Sequence, residues 1–183
     1  MVPHNPRLVK LNFDGSRNHY SLAGGFILCD WTGKVIKLGT INYGNTLSLI
    51  AEAWALNDGL RMAIQAGYNT ICIEVDNLIV IQAFKGLHQV PLQIKSTIQD
   101  VHTWLNQRLR VTFNHVFREA NVAADWLSKF GHMIIDTFTT DFCFSPLFWQ
   151  ILSDDKMLIC FIIYPCRKKK HFTEIGVIDA IVS

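Results

Sequence analysis

The chain has 183 residues, of which half are hydrophobic and 17% are charged, and its formal net charge is +2. This length and composition fit a folded domain with a sizeable core and exclude an intrinsically disordered chain. A net charge of +2 is too small to indicate a polyanionic partner by itself.

The cysteine content indicates a reduced, intracellular protein. The five cysteines contain no C-x-x-C pair: Cys29, Cys72, Cys143, Cys160 and Cys166. An odd, unclustered set favours free thiols over a disulfide framework.

The N-terminus lacks the charged-then-apolar pattern of a signal peptide. The most apolar run, residues 157–164, is shorter than the ~20 residues that a spanning helix needs. We therefore expect no membrane segment, and the sequence does not distinguish nucleus from cytoplasm.

The first part of the chain predicts an antiparallel meander. Residues 1–8 contain two prolines and predict an extended lead-in. Residues 9–16 alternate apolar and polar side chains, which is typical of a strand with one buried face. That strand is predicted to stop at Asp14-Gly15, a pair that favours a turn. Residues 22–29 and 34–43 predict the second and third strands.

A helix is predicted next, with its N-cap at Thr46 or Ser48 and its end near Gly67. Glu52 has apolar neighbours at helical spacing on the face that would pack on the sheet. Two interpretations stay open for this residue. Its carboxylate either reaches water from the edge of that face or projects over the sheet towards Asp14. A carboxylate rarely points inward unless it is paired or bound to metal.

Residues 70–76 predict a fourth strand that, like the first, leads to an acid, here Asp76. The order strand, helix, strand indicates a βαβ unit, whose right-handed crossover makes the two strands parallel. We therefore expect Asp14 and Asp76 side by side at the carboxyl ends of neighbouring strands. Ligands bind at this edge in open α/β sheets.

A short helix is predicted over residues 77–84, a second long helix over residues 92–107 and a fifth strand over residues 110–117. A last helix follows and ends at Gly131. Asn121 is predicted as the N-cap of the last helix, and Asp125 falls in its first turns. The positive end of a helix favours an anion there. Asp125 is therefore either an acid that stabilises the helix dipole or part of a site.

Five segments in this order and spacing carry a family resemblance: residues 10–16 (KLNFDGS), 23–33 (AGGFILCDWTG), 51–60 (AEAWALNDGL), 74–76 (EVD) and 115–125 (HVFREANVAAD). They resemble the ribonuclease H type 1 family, and more narrowly the plant form that is often joined to non-LTR retrotransposon reverse transcriptases. The resemblance implies one domain over residues 9–132, followed by a C-terminal tail of residues 133–183. It implies an α/β ribonuclease H-like fold with a mixed five-stranded sheet flanked by helices.

The resemblance also implies the chemistry. Two Mg²⁺ ions, with Mn²⁺ as an alternative, would support hydrolysis of the RNA strand of RNA–DNA hybrids. Carboxylates suit this chemistry because Mg²⁺ prefers oxygen ligands, and because paired ions stabilise both the attacking and the leaving oxygen. The implied catalytic and metal-binding residues are Asp14, Glu52, Asp76 and Asp125.

Partners follow from the same resemblance. It implies nucleic-acid contacts by Gly15, Ser48 and Asn77, although Ser48 could instead cap a helix and Asn77 could simply occupy a turn. It also implies a reverse transcriptase domain of a larger polyprotein as a partner. An inactive or weakly active nucleic-acid-binding remnant of a retrotransposon is the alternative function.

Two departures from the family pattern bear on substrate binding. Bacterial type 1 enzymes have a basic protrusion before the second long helix. The equivalent segment here, residues 85–91, is short and nearly uncharged, which predicts weak binding of the hybrid. Those enzymes also carry a histidine in a mobile loop, which residues 118–121 lack. We expect His115 to be a packed or surface residue rather than a proton carrier.

The basic run at residues 167–170 is either a nucleic-acid patch or a solvated charge run.

Overall fold

The computed structural model describes residues 8–45, 48–86, 92–105, 109–135 and 137–141. Its elements are β1 (Leu8–Arg17), β2 (Leu22–Asp30), β3 (Val35–Gly44), α1 (Ser48–Gln65), β4 (Thr70–Val75), α2 (Leu78–Phe84), α3 (Leu92–Leu105), β5 (Arg110–His115), α4 (Val122–Phe130) and β6 (Thr137–Asp141). Short 3-10 turns flank α4 on both sides, at Arg118–Ala120 and Gly131–Met133. The predicted lead-in up to residue 7, most of the predicted tail and the basic run at residues 167–170 lie outside the described residues.

The strands form one mixed sheet in the order β5-β4-β1-β2-β3-β6. The pairs β1–β2, β2–β3 and β3–β6 are antiparallel, and the pairs β1–β4 and β4–β5 are parallel. The predicted α/β ribonuclease H-like class with its mixed sheet is confirmed.

The predicted count of five strands is wrong, because Thr137–Asp141 pairs with β3 as a sixth strand. These residues were assigned by sequence to the C-terminal tail. An edge strand exposes unpaired backbone groups, and the chain that returns after α4 satisfies them along β3. The threonine-rich sequence of β6 suits a strand but has little apolar alternation, so periodicity gave no signal for it.

The two layers of helices bury opposite faces of the sheet. Apolar side chains of β1 are fully buried on the face that packs on α1: Val9, Leu11 and Phe13. On the other face, Leu127 of α4 packs against Ile27, Cys29 and Leu38. Burial of one such large side chain contributes about 1.5–3 kcal/mol. The C-terminal part of β1 therefore lies between two packed helical layers, one that contains α1 and one that contains α4.

Two glycines let both helices approach the end of β1. A Cβ on Gly15 would stand 2.5 Å from the backbone nitrogen of Glu52 in α1. A Cβ on Gly25, which pairs with Asp14 across the β1–β2 ladder, would collide with the backbone nitrogen of Ser128 in α4. Because neither glycine has a side chain, α1 and α4 reach Asp14 from opposite faces of the sheet.

None of the helices within the described ranges is both long enough and apolar enough to span a bilayer.

Candidate active site

A cleft of about 610 Å³ opens at the carboxyl ends of β1 and β4. The parallel register places Leu11 opposite Ile73 and Asn12 opposite Glu74, so that Asp14 and Asp76 follow at the same edge of the sheet. All four acids predicted from the sequence line this cleft: Asp14, Glu52, Asp76 and Asp125. Asp14 and Asp76 lie at the same edge of two adjacent parallel strands, as expected. The predicted turn at Asp14-Gly15 is wrong, because β1 continues to Arg17 in antiparallel pairing with β2, and only its pairing with β4 ends before Asp14.

Glu52 projects from α1 into the cleft, which decides between the two interpretations left open by the sequence. The Nδ2 of Asn77 donates to both of its carboxylate oxygens, at 3.0 Å and 2.8 Å. Burial raises the pKa of Glu52 to about 7, helped by the charges of Asp14 and Asp76 and opposed by the Asn77 hydrogen bonds. A buried carboxylate with like charges around it disfavours ionisation.

Asp14 is contacted by a serine of α4, on the face of the sheet opposite to α1. The hydroxyl of Ser128, a fully buried residue of α4, lies 2.8 Å from its Oδ2. Burial raises the pKa of Asp14 to about 6; the Ser128 hydrogen bond opposes this rise, and the charges of Asp76 and Asp125 add to it. The mutual effect of these charges means that the acids share one electrostatic environment.

Asp76 is tied to the start of α4 by a buried asparagine. The Nδ2 of Asn121 lies 3.2 Å from Asp76 Oδ1 and 3.0 Å from the carbonyl oxygen of Phe13. Asn121 occupies the N-cap position, but its side chain makes no capping hydrogen bond, so the predicted side-chain cap is wrong. The amide is only 2% exposed, and its donors are satisfied by β1 and Asp76 instead.

A second buried amide supports the first. Asn12, which is 5% exposed, donates from Nδ2 towards Asn121 Oδ1 at 3.3 Å and towards Glu74 Oε2 at 3.2 Å. Glu74 in turn pairs with Lys10 at 3.3 Å. Polar groups this deeply buried are costly unless they are hydrogen-bonded, so the network fixes β1, β4 and α4 relative to one another.

Asp125 faces two cations at the rim of the cleft. Its carboxylate lies 2.6 Å from Lys129 Nζ, one helical turn along α4, and 3.5 Å from a guanidinium nitrogen of Arg118. Both basic side chains are well exposed, so each pair contributes no more than about 1 kcal/mol. Such pairs are weak enough to rearrange when a ligand enters the cleft.

The residues predicted to contact nucleic acid have mixed outcomes. Gly15 and Asn77 line the cleft. Asn77 also caps α2, because its Oδ1 accepts from the backbone nitrogen of Ile79 at 2.9 Å. Ser48 is the first residue of α1, and its side chain is outside the described part of the structure. Nucleic-acid binding by these three residues stays a prediction.

Several functional candidates were not found from the sequence. Ser128 lies three residues after Asp125, a spacing that places both on one helix face, but a buried serine gives no signal without its partner. Asn12 is two residues before Asp14, and thus on the same side of β1. His115 is half-buried, lines the cleft and places Nε2 3.1 Å from the carbonyl oxygen of Asp76. His115 therefore lies beside the acids, and whether it is a packed or surface residue or a proton carrier stays a prediction.

The donor set fits a hard divalent cation, although the four acids are not yet gathered around one point. Within the described ranges, no three His, Cys, Asp or Glu side chains lie where they could hold a metal ion together. Each carboxylate is turned towards its own protein partner, as expected for crowded like charges. Carboxylate oxygens on neighbouring rigid elements are nevertheless the ligands that Mg²⁺ prefers.

This sheet order, with carboxylates from two strand ends and two helices around one cleft, defines the class of protein: an α/β domain of the ribonuclease H-like type. The family follows from the sequence itself. A model of the reverse transcriptase-like family matches residues 12–131, and the chain belongs to that family.

Similar proteins agree with this assignment. The chain is 31% identical over 125 residues to an Arabidopsis thaliana protein named for ribonuclease H; the match covers 67% of this chain but only 20% of that relative. The chain thus spans about a fifth of the length of that curated relative. The fold is also similar to RNase H1 of the halophilic archaeon Halobacterium salinarum, with a TM-score of 0.64, 24% identity and coverage of 69% of this chain and 98% of that one.

A further solved structure with this fold is LC11-RNase H1 in complex with an RNA/DNA hybrid. The TM-score is 0.61 at 19% identity, and the match covers 66% of this chain and 94% of that one. At such identities, the likeness to the two solved structures establishes the fold alone.

Proposed function

We propose that this domain is a metal-dependent endonuclease that hydrolyses the RNA strand of RNA–DNA hybrids. The observation that carries the proposal is the arrival of Asp14, Glu52, Asp76 and Asp125 at one cleft from four separate elements. Burial, and to a smaller extent the neighbouring carboxylates, raises the pKa values of Asp14 and Glu52, so their ionisation is costly without a counter-charge. A site that retains such a cost is a functional candidate.

These four acids would hold two Mg²⁺ ions, with Mn²⁺ as an alternative. When bound, the ions stabilise the charge that develops on the attacking and leaving oxygens of an in-line displacement at phosphorus. The chain itself supplies the rigid placement of the ligands: Asp14 lies in β1, and Asp76 directly follows β4, both in the central sheet. Asn77 and Ser128 orient Glu52 and Asp14 from opposite sides.

Cationic side chains around the acids suit a phosphate backbone. Arg17, Arg118 and Lys129 line the cleft together with His115. Arginine and lysine contacts to phosphates position a nucleic acid without reading its sequence. Gly15, Ser48 and Asn77 are proposed to contact the wide minor groove of the hybrid, which proteins recognise by shape and by its 2′-hydroxyls.

The family description and the plant relative support a retroelement origin. A domain that belongs to the reverse transcriptase-like family and matches a fifth of a longer relative fits a module that acts beside other domains. We propose a reverse transcriptase domain of the same polyprotein as its partner. That partner would supply the binding contacts to the hybrid that we do not expect from the short, nearly uncharged segment at residues 85–91.

The test is cleavage of a labelled RNA–DNA hybrid by the purified full chain with Mg²⁺. We expect RNA products with 5′-phosphate ends, because water attacks the phosphorus and the 3′-oxygen leaves, and no cutting of DNA duplex. Chelation by EDTA should stop the reaction, and Mg²⁺ in excess should restore it. A chain that cuts hybrid equally well in EDTA would contradict the metal-dependent mechanism.

A second candidate function is hybrid binding without cleavage. It is favoured by the pairing of Asp125 with Lys129 and Arg118, which occupies one of the four acids. In this case the full chain would retard a labelled hybrid in a gel but leave its RNA strand intact at every Mg²⁺ and Mn²⁺ concentration. Cleavage that depends on Asp14 would exclude this candidate.

A further inference from the structure

A buried hydroxyl of α4 acts on Asp14 from behind the cleft. Ser128 is fully buried, and its Oγ lies 2.8 Å from Asp14 Oδ2 and 2.8 Å from the carbonyl oxygen of Asp125. A hydroxyl carries one hydrogen, so it donates to one of these two oxygens at a time. The carbonyl lies one helical turn earlier in α4, whereas the carboxylate belongs to the central strand.

The close approach of α4 to β2 makes this contact possible. Asp14 pairs with Gly25 across the β1–β2 ladder, and any side chain at Gly25 would collide with the backbone nitrogen of Ser128. The missing side chain lets α4 lie directly on the strand, at the level of Asp14. The hydroxyl then holds Oδ2 of Asp14 from the packed side, while Asp14 itself lines the cleft.

We infer that Ser128 is a positioning residue for Asp14, which fixes the rotamer of this carboxylate so that it presents a single oxygen to a cation. The inference rests on the proposed function and deepens it. Hydrogen-bond partners behind a metal ligand typically change metal affinity or activity by about 10- to 100-fold when they are removed. Ser128 is fully buried and is not among the residues that line the cleft, so we expect its effect to pass through Asp14.

A matched control exists at the same interface between α4 and the sheet, in Thr40 of β3. Thr40 is also fully buried, and its hydroxyl donates to the carbonyl oxygen of Leu127, the residue next to Ser128, at 2.6 Å. That hydroxyl anchors α4 to the sheet without touching a carboxylate. Ser128→Ala and Thr40→Val each remove one buried hydroxyl from the α4 interface, but only the first removes a hydrogen bond to Asp14.

The experiment compares the two variants in the full chain. Ser128→Ala should raise the Mg²⁺ concentration for half-maximal cleavage by about 10-fold or more. The KM for hybrid should stay within about twofold, because the substrate contacts are intact. Thr40→Val should lower the melting temperature and leave the Mg²⁺ requirement within about twofold. Equal Mg²⁺ requirements in the two variants would reduce Ser128 to a structural role and overturn the inference.

A second measurement does not depend on cleavage. In the metal-free protein, the ¹³Cγ resonance of Asp14 should move in Ser128→Ala and stay in place in Thr40→Val, since only the first loses a donor to that carboxylate. If the wild-type chain cleaves no hybrid but shows this pattern, the proposed function fails and the positioning role stands. If the wild-type chain cleaves hybrid but Ser128→Ala changes neither the resonance nor the Mg²⁺ requirement, the positioning role fails alone.

Discussion

Asn77 holds Glu52 through both carboxylate oxygens, with its Nδ2 3.0 Å from Oε1 and 2.8 Å from Oε2. The same side chain caps α2 through its Oδ1. Because Asn77 follows Asp76 directly, these contacts join the end of β4 to α1 and set the spacing between two of the four acids.

Replacement of Asn77 by aspartate should therefore weaken the site without loss of the α2 cap. Aspartate is as good an N-cap as asparagine, but it cannot donate to Glu52 and adds a like charge beside it. We expect the hybrid-cleavage rate at fixed Mg²⁺ to fall by about 10- to 100-fold. Asn77→Ser, which keeps a capping oxygen and adds no charge, should lose less. Equal rates for Asn77→Asp and the wild type would remove Asn77 from the support of Glu52.

Asp14→Asn and Asp76→Asn should each abolish cleavage while the fold is retained. The free energy of unfolding of metal-free Asp14→Asn at pH 8 should exceed that of the wild type by up to about 3 kcal/mol. In the wild type, Asp14 is ionised at this pH although its pKa is raised from 3.8 to about 6, and the substitution removes this unfavourable buried charge. Urea unfolding measures this gain. Asp100→Asn, an exposed acid of α3, is the matched control and should change neither quantity. Near-wild-type cleavage by either cleft variant would exclude that acid from the metal site.

The stability of the metal-free protein should fall as the pH rises from about 4 to about 7. Asp14 and Glu52 have pKa values of about 6 and 7 in the folded chain, above their ordinary values of 3.8 and 4.5. The native state therefore binds more protons than the unfolded state in this window, and the contribution is fully present below the ordinary values and lost through the raised ones. Urea unfolding across this range measures the slope. The double variant Asp14→Asn/Glu52→Gln should flatten it; an unchanged slope would assign the dependence to other groups.

Gly15→Ala should displace α1 from the end of β1. The added Cβ would stand 2.5 Å from the backbone nitrogen of Glu52 and 2.8 Å from the carbonyl carbon of Ala51, and a backbone cannot rotate away as a side chain can. Overpacking of this kind costs about 1–3 kcal/mol. The displaced carboxylate of Glu52 should also lower the hybrid-cleavage rate of the folded chain.

Gly59→Ala is a useful comparison for this variant, because its Cβ would meet the flexible side chain of Leu11, away from the cleft. Thermal unfolding and cleavage assays below the melting temperature separate the two effects. A Gly59→Ala variant that loses as much activity as Gly15→Ala would show that the loss follows general destabilisation.

Hybrid binding should be weak and only modestly dependent on salt. The logarithm of the affinity falls with the logarithm of salt concentration in proportion to the number of phosphates contacted, and residues 85–91 offer a single cation, Lys85. Fusion of a basic hybrid-binding segment should raise activity markedly. If the run at residues 167–170 binds phosphates, its replacement by serines should flatten the salt slope by up to ~0.9 per lost contact. Lys95→Ser on α3 removes one exposed cation elsewhere and gives the change in slope per unit of net charge. A salt slope that changes by no more than this per removed charge would show that the run does not bind phosphates.

Much of this protein could be predicted from its sequence, because periodicity is a local property. Alternation along residues 9–16 gave β1 and its buried face, and the order strand, helix, strand gave the parallel pair β1–β4. These two features were enough to place Asp14 and Asp76 at one edge of the sheet. The family resemblance then added Glu52 and Asp125, whose own surroundings in the sequence left their roles open.

What the tertiary structure alone decided is the set of partners around those acids. Ser128 reaches Asp14, and Asn121 reaches Asp76, across more than 40 positions of sequence in each case. No local pattern indicates such contacts, because they depend on how closely α4 packs against the sheet. The same packing turned Asn121 from a predicted side-chain cap into a buried link between β1 and Asp76.

The sixth strand has a similar cause. Thr137–Asp141 carries little strand periodicity of its own, and it becomes a strand because β3 offers an unpaired edge where the chain emerges from α4. The sequence by itself thus placed Asp14 and Asp76 at one edge, its family resemblance added Glu52 and Asp125, and both indicated the order of the elements up to α4. Only the folded sheet, with both helices packed on Gly15 and Gly25, determined which neutral side chains orient those carboxylates.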